Sequence, residues 1–156
     1  FYRTKAKNII NSSKLIVQNF GGEVPNTMQE LLSLPGVARK TANIVLFHAY
    51  GKNEGIAVDT HCMRISHRLG LTSKRNNQSL SEKELMSIIC KEDWGMYTNW
   101  MVHHGRKYCT ARSPKCGSCP LGKICPKKGV EQPAHKKNLP KGIKRGANGL
   151  PAKSLK

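Results

Sequence analysis

The chain has 156 residues, 38% of them hydrophobic and 6% aromatic, and carries a formal net charge of +18 at pH 7. That length supports one domain, or two small ones, around a modest core. No run of about 18 apolar residues occurs, which excludes a transmembrane helix, and the excess of positive charge points to a polyanionic partner such as nucleic acid.

The chain opens on Phe1-Tyr2-Arg3, neither an initiator methionine nor a signal peptide, so a natural start further upstream is expected. Ile9, Ile10, Ile16, Val17 and Phe20 are compatible with one helical face and predict a helix from Thr4 to Phe20, ended by Gly21-Gly22. Pro25-Asn26-Thr27 is a break. Thr27, with Glu30 three residues on, forms a capping box for a short helix from Met28 to Ser33. Leu34-Pro35-Gly36-Val37-Ala38 reads as a tight turn, followed by a strong helix from Arg39 to about Tyr50 and a loop from Gly51 to Gly55. Another helix is expected from about Thr60 to Leu69. A polar linker from Thr72 to Gln78 leads into a helix capped by Ser79 or Ser81 and reaching Cys90. The last helix runs from about Trp94 to Lys107 and delivers the chain to Cys109. With no strand and no internal repeat, the expected class is all-α. From Pro126 to Lys156 the sequence is rich in Pro, Gly and Lys and is expected to be disordered. Nine Lys/Arg against one Glu give that tail +8 and leave +10 for the body, so the basicity is not only a tail effect.

Two segments of the body bear candidate chemistry. The Pro-Gly turn before the Arg39 helix would present consecutive backbone N–H groups at the positive end of a helix, a ready site for an anion. A DNA phosphate fits there without any side-chain reading of sequence. Leu34 would anchor the turn, and Leu34, Gly36, Val37, Ala38 and Arg39 form the candidate DNA-binding segment. Lys40 falls in the first turn of the helix. An amine beside a positive helix end is favoured in its neutral form, and a neutral amine is a nucleophile able to form a Schiff base. A solvated lysine is the ordinary alternative. The second segment is Val58-Asp59-Thr60-His61, which holds one of the only two aspartates, Asp59 and Asp93. Asp59 at a helix start is a natural N-cap, and a carboxylate fixed by capping is also well oriented for catalysis.

Cys109, Cys116, Cys119 and Cys125 stand with gaps of six, two and five residues. Pro114, Gly117, Pro120 and Gly122 lie between them and let the backbone turn tightly around a metal. Tetrahedral sulfur sites hold zinc or iron–sulfur clusters, and spacing alone does not choose between them. Two disulfides of a secreted domain are the alternative, but nothing else here has a secreted character. Arg106, Arg112, Lys115 and Lys123 surround the ladder, and the loop between Cys109 and Cys116 would present Arg112 and Lys115 to a DNA backbone. Cys62 and Cys90 are expected to be buried small hydrophobes on helices, and Trp94, Tyr97 and Trp100 to be packing residues.

Taken in order, Leu34 to Ala42, Val58 to His61 and the Cys109 to Cys125 ladder resemble endonuclease III of the helix-hairpin-helix DNA glycosylase superfamily, over roughly Phe1 to Cys125. The resemblance implies a partial six-helix domain with the hairpin in residues 1–57, a helical iron–sulfur cluster domain in 58–125 and a basic tail in 126–156. It implies a base excision repair enzyme that removes oxidised pyrimidines and cleaves the abasic site by β-elimination. By position, Lys40 matches the family's lysine nucleophile, Asp59 its catalytic aspartate, and the four cysteines the ligands of a [4Fe–4S] cluster, with zinc as the alternative. The implied partner is double-stranded DNA containing damaged bases or abasic sites, bound by a monomer away from membranes. A cytoplasmic or nucleoid location is the default, with organelle and nucleus left open. The rivals are a monofunctional mismatch adenine glycosylase, which needs no lysine at position 40, and a non-catalytic DNA-binding fragment. Ala38 stands where the family usually has a second glycine. The family's helices before the equivalent of Phe1 are missing, so this stretch alone is expected to be weakly stable and poorly active.

Overall fold

The computed structural model describes residues 1–130, and these residues form helices and connecting turns with no strand among them. Six α-helices follow in order: α1 Tyr2–Phe20, α2 Met28–Ser33, α3 Arg39–Tyr50, α4 Thr60–Arg68, α5 Gln78–Met86 and α6 Trp94–Lys107. Single 3₁₀ turns cover Lys91–Asp93 and Cys116–Ser118. No helix of the described residues is long and apolar enough to cross a membrane.

Local signals account for the first three helices. Thr27 caps α2 as expected, its hydroxyl accepting from the Glu30 amide at 3.3 Å and donating to the Glu30 carboxylate at 2.7 Å. Gly21 and Gly51 close α1 and α3 in the left-handed conformation. The expected apolar face of α1 is only half used. Ile16 and Phe20, together with Leu15, pack inward, whereas Ile9 and Val17 are each 67% exposed.

Two hydrophobic clusters hold the chain together. The first joins Leu31, Leu34, Ala42 and Leu46 of α2, the turn and α3. The second joins Ile56, Val58, Cys62, Ile65, Leu85, Tyr97 and Met101, which come from the segment before α4 and from α4, α5 and α6. Burying each large aliphatic side chain contributes about 1.5–3 kcal/mol. α6 lies across α4 and also touches α3. The α4 crossing is close because Gly105 has no side chain: a Cβ there would overlap His61 and come within 2.9 Å of Ile65 Cδ1.

Several expectations are corrected. α5 is capped by Asn77, whose Oδ1 accepts from the Leu80 amide at 3.0 Å, not by Ser79 or Ser81. Asparagine is at least as good a cap as serine, and here it comes first. α5 stops at Met86, and Cys90 is exposed rather than buried. Tyr97 is buried, and Trp94 is partly so, but Trp100 is 46% exposed. Residues 126–130, assigned from sequence to the tail, are described as a turn against α4: the Lys128 amide donates to the Arg68 carbonyl at 3.1 Å. The rest of the expected disordered tail, 131–156, lies outside the described residues.

Candidate active site and cysteine cavity

Leu34-Pro35-Gly36-Val37 forms a type II turn. The Val37 amide donates to the Leu34 carbonyl at 3.1 Å and Gly36 has a φ of 79°. Proline and glycine are the residues this turn favours at its two central positions. Helix α1 braces it from below: Ser12 Oγ donates to the Pro35 carbonyl at 2.7 Å, and a Cβ on Gly36 would meet the Asn8 side chain at 2.5 Å. Leu34 is buried, so its side chain anchors the turn and does not face a ligand. Because the Val37 amide is used inside the turn, the donors open to an anion are those of Gly36, Ala38, Arg39, Lys40 and Thr41. None of these donates a hydrogen bond among the described residues. Ala38 is extended, with a φ of −102°, so glycine is not required there.

Arg39 and Lys40 diverge. Arg39 Nε donates to Glu82 Oε2 at 2.8 Å, which ties its side chain to α5. Lys40 is half-buried, and its Nζ makes no hydrogen bond or ion pair among the described residues. Asp59 is the N-cap of α4, with Oδ1 accepting from the Cys62 amide at 2.7 Å. Its other oxygen has no protein partner among the described residues. The carboxylate is thus fixed in direction and retains a free acceptor.

None of the six cysteines is paired in a disulfide. Cys109, Cys116, Cys119 and Cys125 line one cavity, closed by Ile65, Leu69, Tyr108, Pro114 and Leu121. No three His, Cys, Asp or Glu side chains among the described residues converge on a single-ion site. Zinc holds each thiolate at about 2.3 Å, so four zinc-binding sulfurs must nearly touch. A cluster places its own iron and sulfide between them. A cavity lined by four cysteine sulfurs has the donor set of such a cluster.

Sequence reasoning missed the arginines that hold this loop. Arg68 is buried and donates to the Thr110 carbonyl at 2.7 Å, the Ala111 carbonyl at 2.8 Å and Cys109 Sγ at 3.2 Å. Arg64, one helical turn earlier, donates to the Cys109 carbonyl at 3.1 Å. The available signal was an Arg pair at i and i+4 with no acidic residue within reach on the same helix. Arg112 and Lys115 are exposed on the braced loop, whose base is closed by the Lys115 amide donating to the Tyr108 carbonyl at 2.8 Å. His104 lies 3.6 Å from Cys119 Sγ, and burial holds it below the usual histidine range.

Comparison with known proteins agrees with this arrangement. Residues 1–91 match the model of the HhH-GPD superfamily base excision DNA repair proteins, and residues 109–125 match the iron–sulfur binding domain of endonuclease III. The chain therefore belongs to the helix-hairpin-helix base excision repair superfamily and, within it, to the endonuclease III family. It is 52% identical over 126 residues to endonuclease III of Synechocystis and 48% identical over 124 residues to that of Bacillus subtilis. These matches cover 81% and 80% of this chain but only 57% and 56% of those relatives. The fold superposes on a trapped endonuclease III–DNA covalent intermediate with a TM-score of 0.74 at 46% identity, covering 80% of this chain and 58% of that one. A non-covalent endonuclease III–DNA complex gives the same TM-score. The cofactor of the matched domain is a [4Fe–4S] cluster.

Proposed function

We propose that this chain is the catalytic part of a bifunctional DNA glycosylase and abasic-site lyase that acts on oxidised pyrimidines through a Schiff base on Lys40. The observation that carries the reading is the position of Lys40: an unpaired amine in the first turn of α3, on the same helix end as the open amides of Ala38 to Thr41. Those amides suit a backbone phosphate, which would register the strand against the lysine.

The target nucleotide must leave the stack, because its anomeric carbon is buried within a duplex. The lone pair of Lys40 Nζ attacks that carbon, and the glycosidic bond breaks with its electron pair leaving on the base. Loss of the amine proton and opening of the sugar ring give an imine between Nζ and the former anomeric carbon. The imine acidifies the adjacent hydrogen. Its removal drives the electrons to expel the 3′ phosphate oxygen, and the strand breaks. The free oxygen of Asp59 serves the positive charge developing on the sugar, or helps activate the lysine. Cys109, Cys116, Cys119 and Cys125 would hold the [4Fe–4S] cluster, which supplies a structural staple when bound. The Arg68-braced loop then offers Arg112 and Lys115 to the DNA backbone. The reading assigns residues 1–57 to the hairpin domain and 58–125 to the cluster domain. It assigns a monomer acting on double-stranded DNA in the cytoplasm or nucleoid.

Borohydride reduction in the presence of abasic-site DNA tests the reading. The expected result is a covalent protein–DNA species with the native protein that is lost in Lys40→Ala. Its persistence in Lys40→Ala would exclude Lys40 as the sole nucleophile.

A further inference from the structure

Helix α5 belongs to neither candidate segment, yet it touches the neighbours of both. Glu82 is buried, and its two carboxylate oxygens are divided between two residues of α3. Oε2 accepts from Arg39 Nε at 2.8 Å and Oε1 accepts from Asn43 Nδ2 at 2.9 Å. Arg39 and Asn43 stand one turn apart and flank Lys40, so one carboxylate pins the helical turn that carries the lysine. Asn43 is itself buried, and its Oδ1 has no partner among the described residues, which leaves Glu82 as the group that orients the amide there. Gly55 makes room for the pair. A Cβ there would come within 2.5 Å of Glu82 Oε1 and 2.8 Å of Asn43 Nδ2.

Gln78 stands one turn before Glu82 on the same face of α5. Its Nε2 donates to the Val58 carbonyl at 2.8 Å, and Val58 immediately precedes Asp59. One helix face therefore holds the backbone beside Asp59 at its first residue and the helix turn of Lys40 four residues later.

Resting on the assignment of Lys40 and Asp59 as the reacting pair, we propose that α5 is a ruler for that pair. Gln78 and Glu82 are positioning residues that set the separation and aim of the amine and the carboxylate. Neither touches the substrate. A buried carboxylate with two donors resists displacement, because losing either contact strands a buried polar group. Misplacing a reacting group by about 1 Å can cost about 100-fold in rate.

The test uses the holoprotein with Glu82→Gln, Glu82→Ala, Gln78→Ala and the Gln78→Ala/Glu82→Ala double variant. Lys40→Ala serves as the control for the underlying assignment. Single-turnover strand cleavage is measured on a duplex with one abasic site at saturating protein. Affinity is measured separately on a duplex with an uncleavable tetrahydrofuran site. The expected result is a fall of about tenfold for Glu82→Gln and Gln78→Ala and about 100-fold for Glu82→Ala. Affinity and cluster absorbance stay within about threefold of native, which separates positioning from a merely structural loss. The double variant falls little below Glu82→Ala alone, because both changes release the same geometry. If Glu82→Ala does not fold, the Glu82→Gln and Gln78→Ala rates decide. Native rates in those two, with Lys40→Ala inactive, would overturn the ruler and leave the Lys40 assignment standing. Rates that fall only in step with affinity or cluster content would overturn it equally. An active Lys40→Ala would remove the assignment on which the ruler rests.

Discussion

In the proposed function Asp59 has two jobs, one for each oxygen, and substitution can separate them. Oδ1 caps α4 by accepting from the Cys62 amide, and the second oxygen, without a protein partner among the described residues, is the one proposed to face the sugar. Asparagine caps about as well as aspartate but carries no charge. Asp59→Asn is predicted to keep the unfolding free energy within about 0.5 kcal/mol while strand cleavage falls by about 100-fold or more. Asp59→Ala should lose the same activity and about 1 kcal/mol of stability besides. Equal stability losses in the two variants, read by urea unfolding, would show that the charge itself serves the fold.

Two buried groups give the fold an alkaline limit. Burial pushes the Cys62 thiol from 9.0 up to about 12 and the Tyr97 hydroxyl from 10.0 up to about 12. Raised values mean that the fold favours the neutral forms. Their contribution is complete below the unfolded values and is lost as pH rises through the folded ones. Unfolding free energy should therefore fall between about pH 9 and 12, and a flat profile there would contradict this assignment. The same burial predicts that iodoacetamide at about pH 8 modifies exposed Cys90 and spares Cys62 in the folded protein, as peptide mapping would show.

At the scale of elements, α2, the turn and α3 were legible because their signals are local. Thr27 and Glu30 cap across one turn, and proline and glycine occupy the two central positions of a type II turn. The start of α5 was misplaced because Asn77, Ser79 and Ser81 are all competent caps within five residues, and only packing selects among them. Its end was overextended because Ile88 and Ile89 continue an apolar pattern that the fold leaves 54% exposed at Ile88. The Arg68 brace and the Glu82 pair were illegible for another reason: their partners lie 39 to 43 positions away in sequence. In the candidate site, Lys40, Asp59 and the four cysteines can be singled out from sequence, whereas the side chains that hold them cannot. Gly36 shows how firmly the turn is specified. Gly36→Ala would force alanine to a φ of 79° and into Asn8. It is predicted to cost about 1 kcal/mol or more in stability and to weaken DNA binding, measured by thermal unfolding and fluorescence anisotropy.

At the scale of the molecule, basic charge is spread over the body as well as the tail, and the braced cysteine loop exposes two of the cations. If Arg112 and Lys115 each meet a phosphate, the double variant Arg112→Ala/Lys115→Ala should reduce the slope of log affinity against log salt by about two. An unchanged slope would remove both from the interface. The two hydrophobic clusters are small, and α1 leaves Ile9, Ile10 and Val17 uncovered among the described residues. The 156-residue chain expressed alone should therefore melt broadly and at low temperature by circular dichroism. The central claim is that the bond-breaking chemistry belongs to Lys40, while the cysteine cavity shapes the surface that meets DNA. Its most direct test is mass spectrometry of the borohydride-trapped DNA adduct after proteolysis. The account predicts the deoxyribose remnant on the peptide containing Lys40, and an adduct located on any other residue would contradict it.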